Sequence, residues 1–154
     1  MLGEEDTPSY LIVTVDHRVT PGRLIEQGNY RYVDADVIAE RFADGRSGLH
    51  TLFFQVFDPL EEGIDDIDAS FAAVAERGLR LATFHELLAV AAARPDQPPD
   101  GHLIAAGSTW LDERIEPRLY AVAVHAWNGR RHLDLQPLYR GWRKGERLLC
   151  APRD

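Results

Sequence analysis

The stretch 78–86, Gly-Leu-Arg-Leu-Ala-Thr-Phe-His-Glu, constrains this chain more tightly than any other. Gly78 follows an apolar stripe at helical spacing (Ile67, Phe71, Val74, Ala75) and suits the left-handed conformation that ends a helix. Thr83 then opens another helix. With Glu86 three positions on it makes a capping box, in which each side chain accepts a hydrogen bond from the other residue's backbone N–H. Leu87, Leu88 and Ala91 carry the apolar face of that second helix, which runs to Arg94. Two amphipathic helices therefore follow one another across a link of only a few residues. Each needs a second layer on which to bury its stripe.

Strands supply that layer. Residues 10–15 (Tyr-Leu-Ile-Val-Thr-Val) are β-branched and apolar. Residues 49–57 place Leu52, Phe54 and Val56 on one face and Phe53, Gln55 and Phe57 on the other, so both faces are expected to be largely covered. Between these strands, Thr20 and Pro21 open a short helix with Leu24 and Ile25 inward and Gly28 at its end. Residues 29–33 are a short extended piece. Asp34 or Asp36 caps a further helix through Val37, Ile38, Arg41 and Phe42, and a turn follows at Asp44-Gly45 and Ser47-Gly48. Asp65 or Asp66 caps the helix that ends at Gly78.

Beyond the proline-rich loop 95–101 the texture becomes β, with strands expected at 102–106, 119–127, 132–135 and 147–151. Asn128-Gly129 is a strong hairpin turn between the second and third of these. Helices followed by a run of late antiparallel strands imply an α+β fold, not a doubly wound sheet. A chain of 154 residues fits one domain, residues 1–154, and buries roughly two-thirds of its unfolded surface without help from a metal or disulfide.

The single cysteine, Cys150, excludes an internal disulfide. The start, Met1-Leu2-Gly3-Glu4-Glu5-Asp6, lacks the basic and apolar regions of a signal peptide, and no apolar run is long enough to span a bilayer. The cytoplasm is the expected location, and no membrane contact is expected. Net charge is −8, unevenly spread: residues 1–100 hold 19 acidic and 8 basic side chains, residues 101–154 hold 6 and 9. The acidic bulk opposes general nucleic-acid binding, and the basic last third leaves a local exception open.

The run Gly78-Leu79-Arg80-Leu81-Ala82-Thr83, with Glu86-Leu87 and the alanine-rich residues 89–93, resembles a segment of C-type-lectin-like folds. The likeness is to the formylglycine-generating-enzyme-like branch, which carries Gly-x-Arg-Leu-Pro-Thr before an acidic-aromatic helix start. Ala82 replaces its proline and Leu87 its tryptophan. Trp127, Gly141, Trp142 and residues 147–153 resemble that branch's ending. A closer resemblance, to a group of uncharacterised bacterial proteins, covers most of the chain: Leu24-Ile25 through Gly28-Asn29-Tyr30, Val33, Asp36 and Phe42; residues 78–88; and residues 104–110 with the final strand. That group brings no function with it. The resemblance implies a C-type-lectin-like α+β fold, with the helices packed on an antiparallel sheet of N- and C-terminal strands. The loops between the late strands would then project as one binding face.

Candidate chemistry is sparse. Formylglycine-type oxidation needs paired cysteines, and Cys150 is alone in an apolar strand. Glu116-Pro117-Arg118 and Trp127-Asn128-Gly129 each lack the last oxygen ligand of a lectin calcium set. The histidines (His17, His50, His85, His102, His125, His132) form no local zinc motif. His125 and His132 flank the hairpin and can approach across it, and Asp16-His17 follows a strand end. The carboxylates Glu61, Glu62, Asp65, Asp66 and Asp68 read as a solvated helix start. No phosphate loop, dinucleotide glycine pattern or nucleophile elbow is present.

Arginines interleaved with aromatics remain, and Trp, Tyr and Arg are the usual anchors of protein interfaces. Trp142 could instead sit in the core with arginines around it. The expectation is a non-enzymatic binding module that contacts a protein partner, another copy of itself included. The contact would use the face of residues 107–118, 127–131 and 136–146, through Trp110, Arg118, Trp127, Arg130, Arg131, Tyr139, Arg140, Trp142 and Arg143. No cofactor, metal or catalytic residue is expected. The alternatives are a small enzyme using His125/His132 or Asp16/His17, and a nucleic-acid-associated module using the arginine cluster.

Overall fold

The computed structural model describes residues 10–154; the expectation about a leader rests on residues outside that range. The elements in order are β1 (Leu11–Asp16), α1 (Pro21–Gln27), β2 (Tyr32–Val33), a 3-10 turn (Ala39–Phe42), β3 (Leu49–Phe57), α2 (Ile67–Glu76), β4 (Leu79–Leu81), α3 (Phe84–Ala93), β5 (Gly101–Asp112), β6 (Arg118–Trp127), β7 (Arg130–Pro137) and β8 (Glu146–Pro152). Among the described residues, three α-helices and one eight-stranded sheet make an α+β fold.

The helices start where local chemistry says they should. Thr20 accepts from the Arg23 N–H ahead of Pro21, and Asp66 accepts from the Ala69 N–H at 2.8 Å. Thr83 and Glu86 complete the capping box at 3.2 and 2.9 Å. The helix expected over residues 37–42 shrinks to the 3-10 turn. Its cap position falls to Ile38, which has no side-chain acceptor, because Asp34 spends its carboxylate on the Asp36 N–H.

Strand order is β1-β3-β8-β5-β6-β7-β2, with β4 also beside β8. The sheet is mixed: β5 with β8 and β2 with β7 run parallel, and the other pairs are antiparallel. β8 is central. β3 holds one edge, while β5 takes residues 146–148 and β4 takes residues 150–152 on the other. β5 makes room for β4 by shifting register between Ala105 and Trp110. There the Gly107 N–H donates to Ala82 O, and a Cβ on Gly107 would come within 2.5 Å of a carbonyl oxygen, so only glycine fits.

Two expectations are corrected. The sheet is not purely antiparallel, and α2 and α3 do not share a face. Residues 79–81 pair with β8 and carry the chain through the sheet plane. α3 thus packs on one core (Val15, Phe54, Leu88, Leu103, Val124, Leu149) and α2 on the other (Phe57, Ile104, Ala123, Trp142, Leu148, Cys150).

Candidate functional site

The nine residues expected to form one face are not brought together. β6 has ten residues and spans about 30 Å, with Arg118 at one end and Trp127 at the other. The 127–131 hairpin and the 113–117 turn therefore project from opposite ends of the same strands. At the Arg118 end, the ring centroid of Tyr120 lies 6.1 Å from Trp110 and 5.7 Å from Tyr139, and the Arg118 guanidinium lies 5.0 Å from the Tyr139 ring. Arg41 stacks on Trp110 at 3.9 Å, with Arg114 at 5.2 Å. Ile115, at the turn tip, is 98% exposed. It shares a hollow of about 380 Å³ with Arg114, Arg118 and Tyr120.

At the far end, Trp127 and Arg130 are exposed beside the turn. Arg131, Arg140 and Trp142 are structural. Arg131 donates to the carbonyls of Ala91, Gln97 and Gly28 at 2.7, 3.1 and 2.6 Å, tying the end of α3 to the end of α1. Arg140 grips Glu146 through two hydrogen bonds. Trp142 is buried, its indole N–H donating to Ser70 Oγ at 2.9 Å. Arg143 is exposed and gives its backbone N–H to Glu146.

The arginines at the Arg118 end are also engaged within the chain. Arg114 bonds Asp36 and Asp112, and its side-chain and backbone N–H groups hold Asp112 down to about 2. Arg118 pairs with Glu116.

All six histidines fall into two triplets, each drawn from three elements. Two members of the first, His17 and His85, line a cleft of about 320 Å³ with Glu40, Asp44, Arg46 and Phe84, and His50 stands beside His17 outside that lining. His17 follows β1, His85 lies in the first turn of α3 and His50 is on β3. The ring centroids of His17 lie 4.6 Å from His85 and 6.1 Å from His50. Two rings are hydrogen-bonded to backbone carbonyls: His85 to Asp16 O at 3.3 Å and His50 to Ser47 O at 2.8 Å.

Burial, then the charge of His85, pushes the pKa of His17 down, which keeps its imidazole neutral at neutral pH. Asp44 Oδ2 is shut off from solvent and accepts no hydrogen bond of ordinary geometry among the described residues. Burial raises this carboxyl, but the Arg46 N–H, the nearby Thr83 hydroxyl and the two imidazoles hold it below the usual range. Asp16 is no partner of His17, because its carboxylate is spent on Arg18. Beside the cleft, Glu86 is 1% exposed and bound by Arg80 at 2.8 and 2.7 Å.

The second triplet is a row across the sheet. His102 on β5 stands opposite His125 on β6, which stands opposite His132 on β7. Opposed residues share a face. The rings of His102 and His125 are parallel, 4.0 Å apart, and His132 meets His125 edge-on at 6.1 Å. Asp134 Oδ2 lies 3.5 Å from His125 Nδ1, and one ligand atom each from His102, His125 and Asp134 lie within 4.8 Å of one another. Burial, then the His125 charge, pushes His102 down. Glu146, also buried, sits across from His102 on β8, bound by Arg140, Gln136 and the Arg143 N–H.

Only the meeting of His125 with His132 across Asn128-Gly129 was readable in the sequence. His102 joins through the β5–β6 register, and His85 joins His17 through helix packing. Comparison with protein-family models, curated proteins and solved structures finds no match for this chain. Among the described residues, no helix is long and apolar enough to cross a membrane.

Proposed function

We propose that the protein is a non-enzymatic binding module of the cytoplasm that engages a protein partner, or a second copy of itself, through the turn between β5 and β6. The observation that carries this reading is Ile115, a large apolar side chain left 98% exposed at the tip of a turn. Leu111, Tyr120 and Tyr139 lie on the strands and segment around it, and Arg114 and Arg118 form a polar rim. An apolar anchor inside such a rim is the anatomy of a protein interface. Because Arg114, Arg118, Arg131, Arg140 and Arg147 already have acceptors within the chain, few cations remain to grip phosphates, which favours a protein over a nucleic acid. A C-type-lectin-like fold fits the same reading. Its support is the pairing of β3 with the final strand and the two helices flanking the sheet.

Affinity capture from the source cells, together with sedimentation of the purified protein, tests this. Ile115→Asp and Tyr139→Ala are expected to abolish the partner or the dimer seen with the unaltered protein, while Trp127→Ala at the opposite end leaves it intact. Equal recovery and equal sedimentation for all three variants would sink the proposal.

One observation favours a second reading, a small enzyme at the His17 cleft: the half-buried Asp44 carboxylate lies close to a neutral imidazole, an arrangement suited to proton transfer. It predicts turnover of generic ester or phosphate probes that His17→Ala abolishes and Ile115→Asp spares. Absence of turnover across those probes ends it.

A further inference from the structure

We propose that His102, His125 and Asp134 form a binding site for one divalent transition-metal ion of the zinc type. Two imidazoles and a carboxylate are a donor set that such ions accept, and three protein ligands with an open fourth position is a recognised zinc arrangement. The three side chains come from β5, β6 and β7, three neighbouring strands of one sheet, so their Cα positions are fixed by backbone pairing. Their ligand atoms already lie within 4.8 Å of one another. Around a tetrahedral zinc ion with bonds of 2.0–2.1 Å, donors lie about 3.3 Å apart. Asp134 Oδ2 already stands 3.5 Å from His125 Nδ1, the stacked rings of His102 and His125 must splay, and no ligand pair has to close by more than about 1.5 Å, a shift within reach of side-chain torsions.

Three further features point the same way. Among the described residues, the His102 ring makes no hydrogen bond, and the one polar contact of the His125 ring is the 3.5 Å approach of Asp134, longer than a good hydrogen bond. These rings stand together with their nitrogens unspent, whereas His50 and His85 in the other triplet are tied to carbonyls. Glu146, the other carboxylate acting on His102 among the described residues, is consumed by Arg140 and Gln136 and does not compete for the ion. All three ligands are half-buried, leaving a solvent-facing side for entry and for a bound water. His132 stands next to that side without being needed as a ligand.

Titration of metal-free protein with ZnCl2 by calorimetry, and with CoCl2 by visible absorption, tests the site. The expected result is one equivalent bound, with the intense absorption of a tetrahedral cobalt site. Zinc should also raise the melting temperature, as any ligand of the native state does. His102→Gln, His125→Gln and Asp134→Asn should each weaken binding by at least about tenfold, the least that losing even an outer partner of a metal site costs. Circular dichroism of each variant separates lost binding from lost folding, and His50→Gln should bind zinc as the unaltered protein does. The proposal is overturned by the absence of stoichiometric binding, by binding that survives the combined His102→Gln and His125→Gln changes in folded protein, or by binding that depends on His50.

Discussion

The two histidine triplets are built to a common plan and differ in one respect. Each gathers three rings from three elements, and each lies near a buried glutamate gripped by an arginine: Glu86 with Arg80 near the cleft, Glu146 with Arg140 near the row. In the cleft, the rings come from a strand exit, a strand start and a helix start, and two of them hold backbone carbonyls. There the imidazoles act as staples around a hollow. In the row, the rings come from consecutive strands in register and face one another instead of the backbone. Strand pairing places like residues side by side and leaves their hydrogen-bonding capacity free, whereas converging loops must use that capacity to hold themselves in place.

The largest effect that can break this parallel comes from the glutamates. Glu86→Ala strands a half-buried Arg80 and removes half of the capping box, and should cost about 4 kcal/mol in urea unfolding. Glu146→Ala leaves Arg140 without its carboxylate, Gln136 with only the Pro137 carbonyl and the Arg143 N–H without an acceptor, with an expected loss of about 3 kcal/mol. A negligible loss in either case would show that the two regions do not share a plan.

Next comes acid sensitivity. The pKa values of His17 and His102 are depressed in the fold, so the unfolded chain binds more protons between their folded values and the ordinary histidine pKa near about 6.5. Their contribution is complete above that value and is lost as pH falls through the folded pKa. His102→Gln and His17→Gln should each flatten the decline in stability below about pH 6.5, measured by denaturant unfolding across that range. Unchanged slopes would mean that neither ring is buried as described. Cys150 offers a sharper control: burial pushes its thiol up to about 12, so thiol reagents should react only after unfolding.

The smallest effect lies outside both triplets. The Tyr30 hydroxyl is buried without a partner among the described residues, and Tyr30→Phe should raise stability by up to about 1 kcal/mol.

What the sequence disclosed was whatever local chemistry decides: the caps at Thr20, Asp66 and Thr83, the nine residues of β3, and the hairpin at Asn128-Gly129. What it concealed was decided by partners far along the chain. Leu79-Arg80-Leu81 reads as a linker until β8 supplies its pairing, and that pairing sends the two helices to opposite faces. Arg131 and Trp142 look like interface anchors because an arginine or tryptophan has the same composition whether its acceptor is a foreign molecule or the Ala91 carbonyl and the Ser70 hydroxyl of its own chain. The histidine row depends on the β5–β6 register over residues 101–105, which places His102 opposite His125 and cannot be read from any spacing of histidines.

The central place of β8 bears on how the protein is made. Synthesis delivers residues 146–152 after every strand they join, so β3, β4 and β5 emerge with open edges and nothing between them. The sheet can close only after residues 146–152 have been made, and until then the facing edges of β3, β4 and β5 are open to wrong partners.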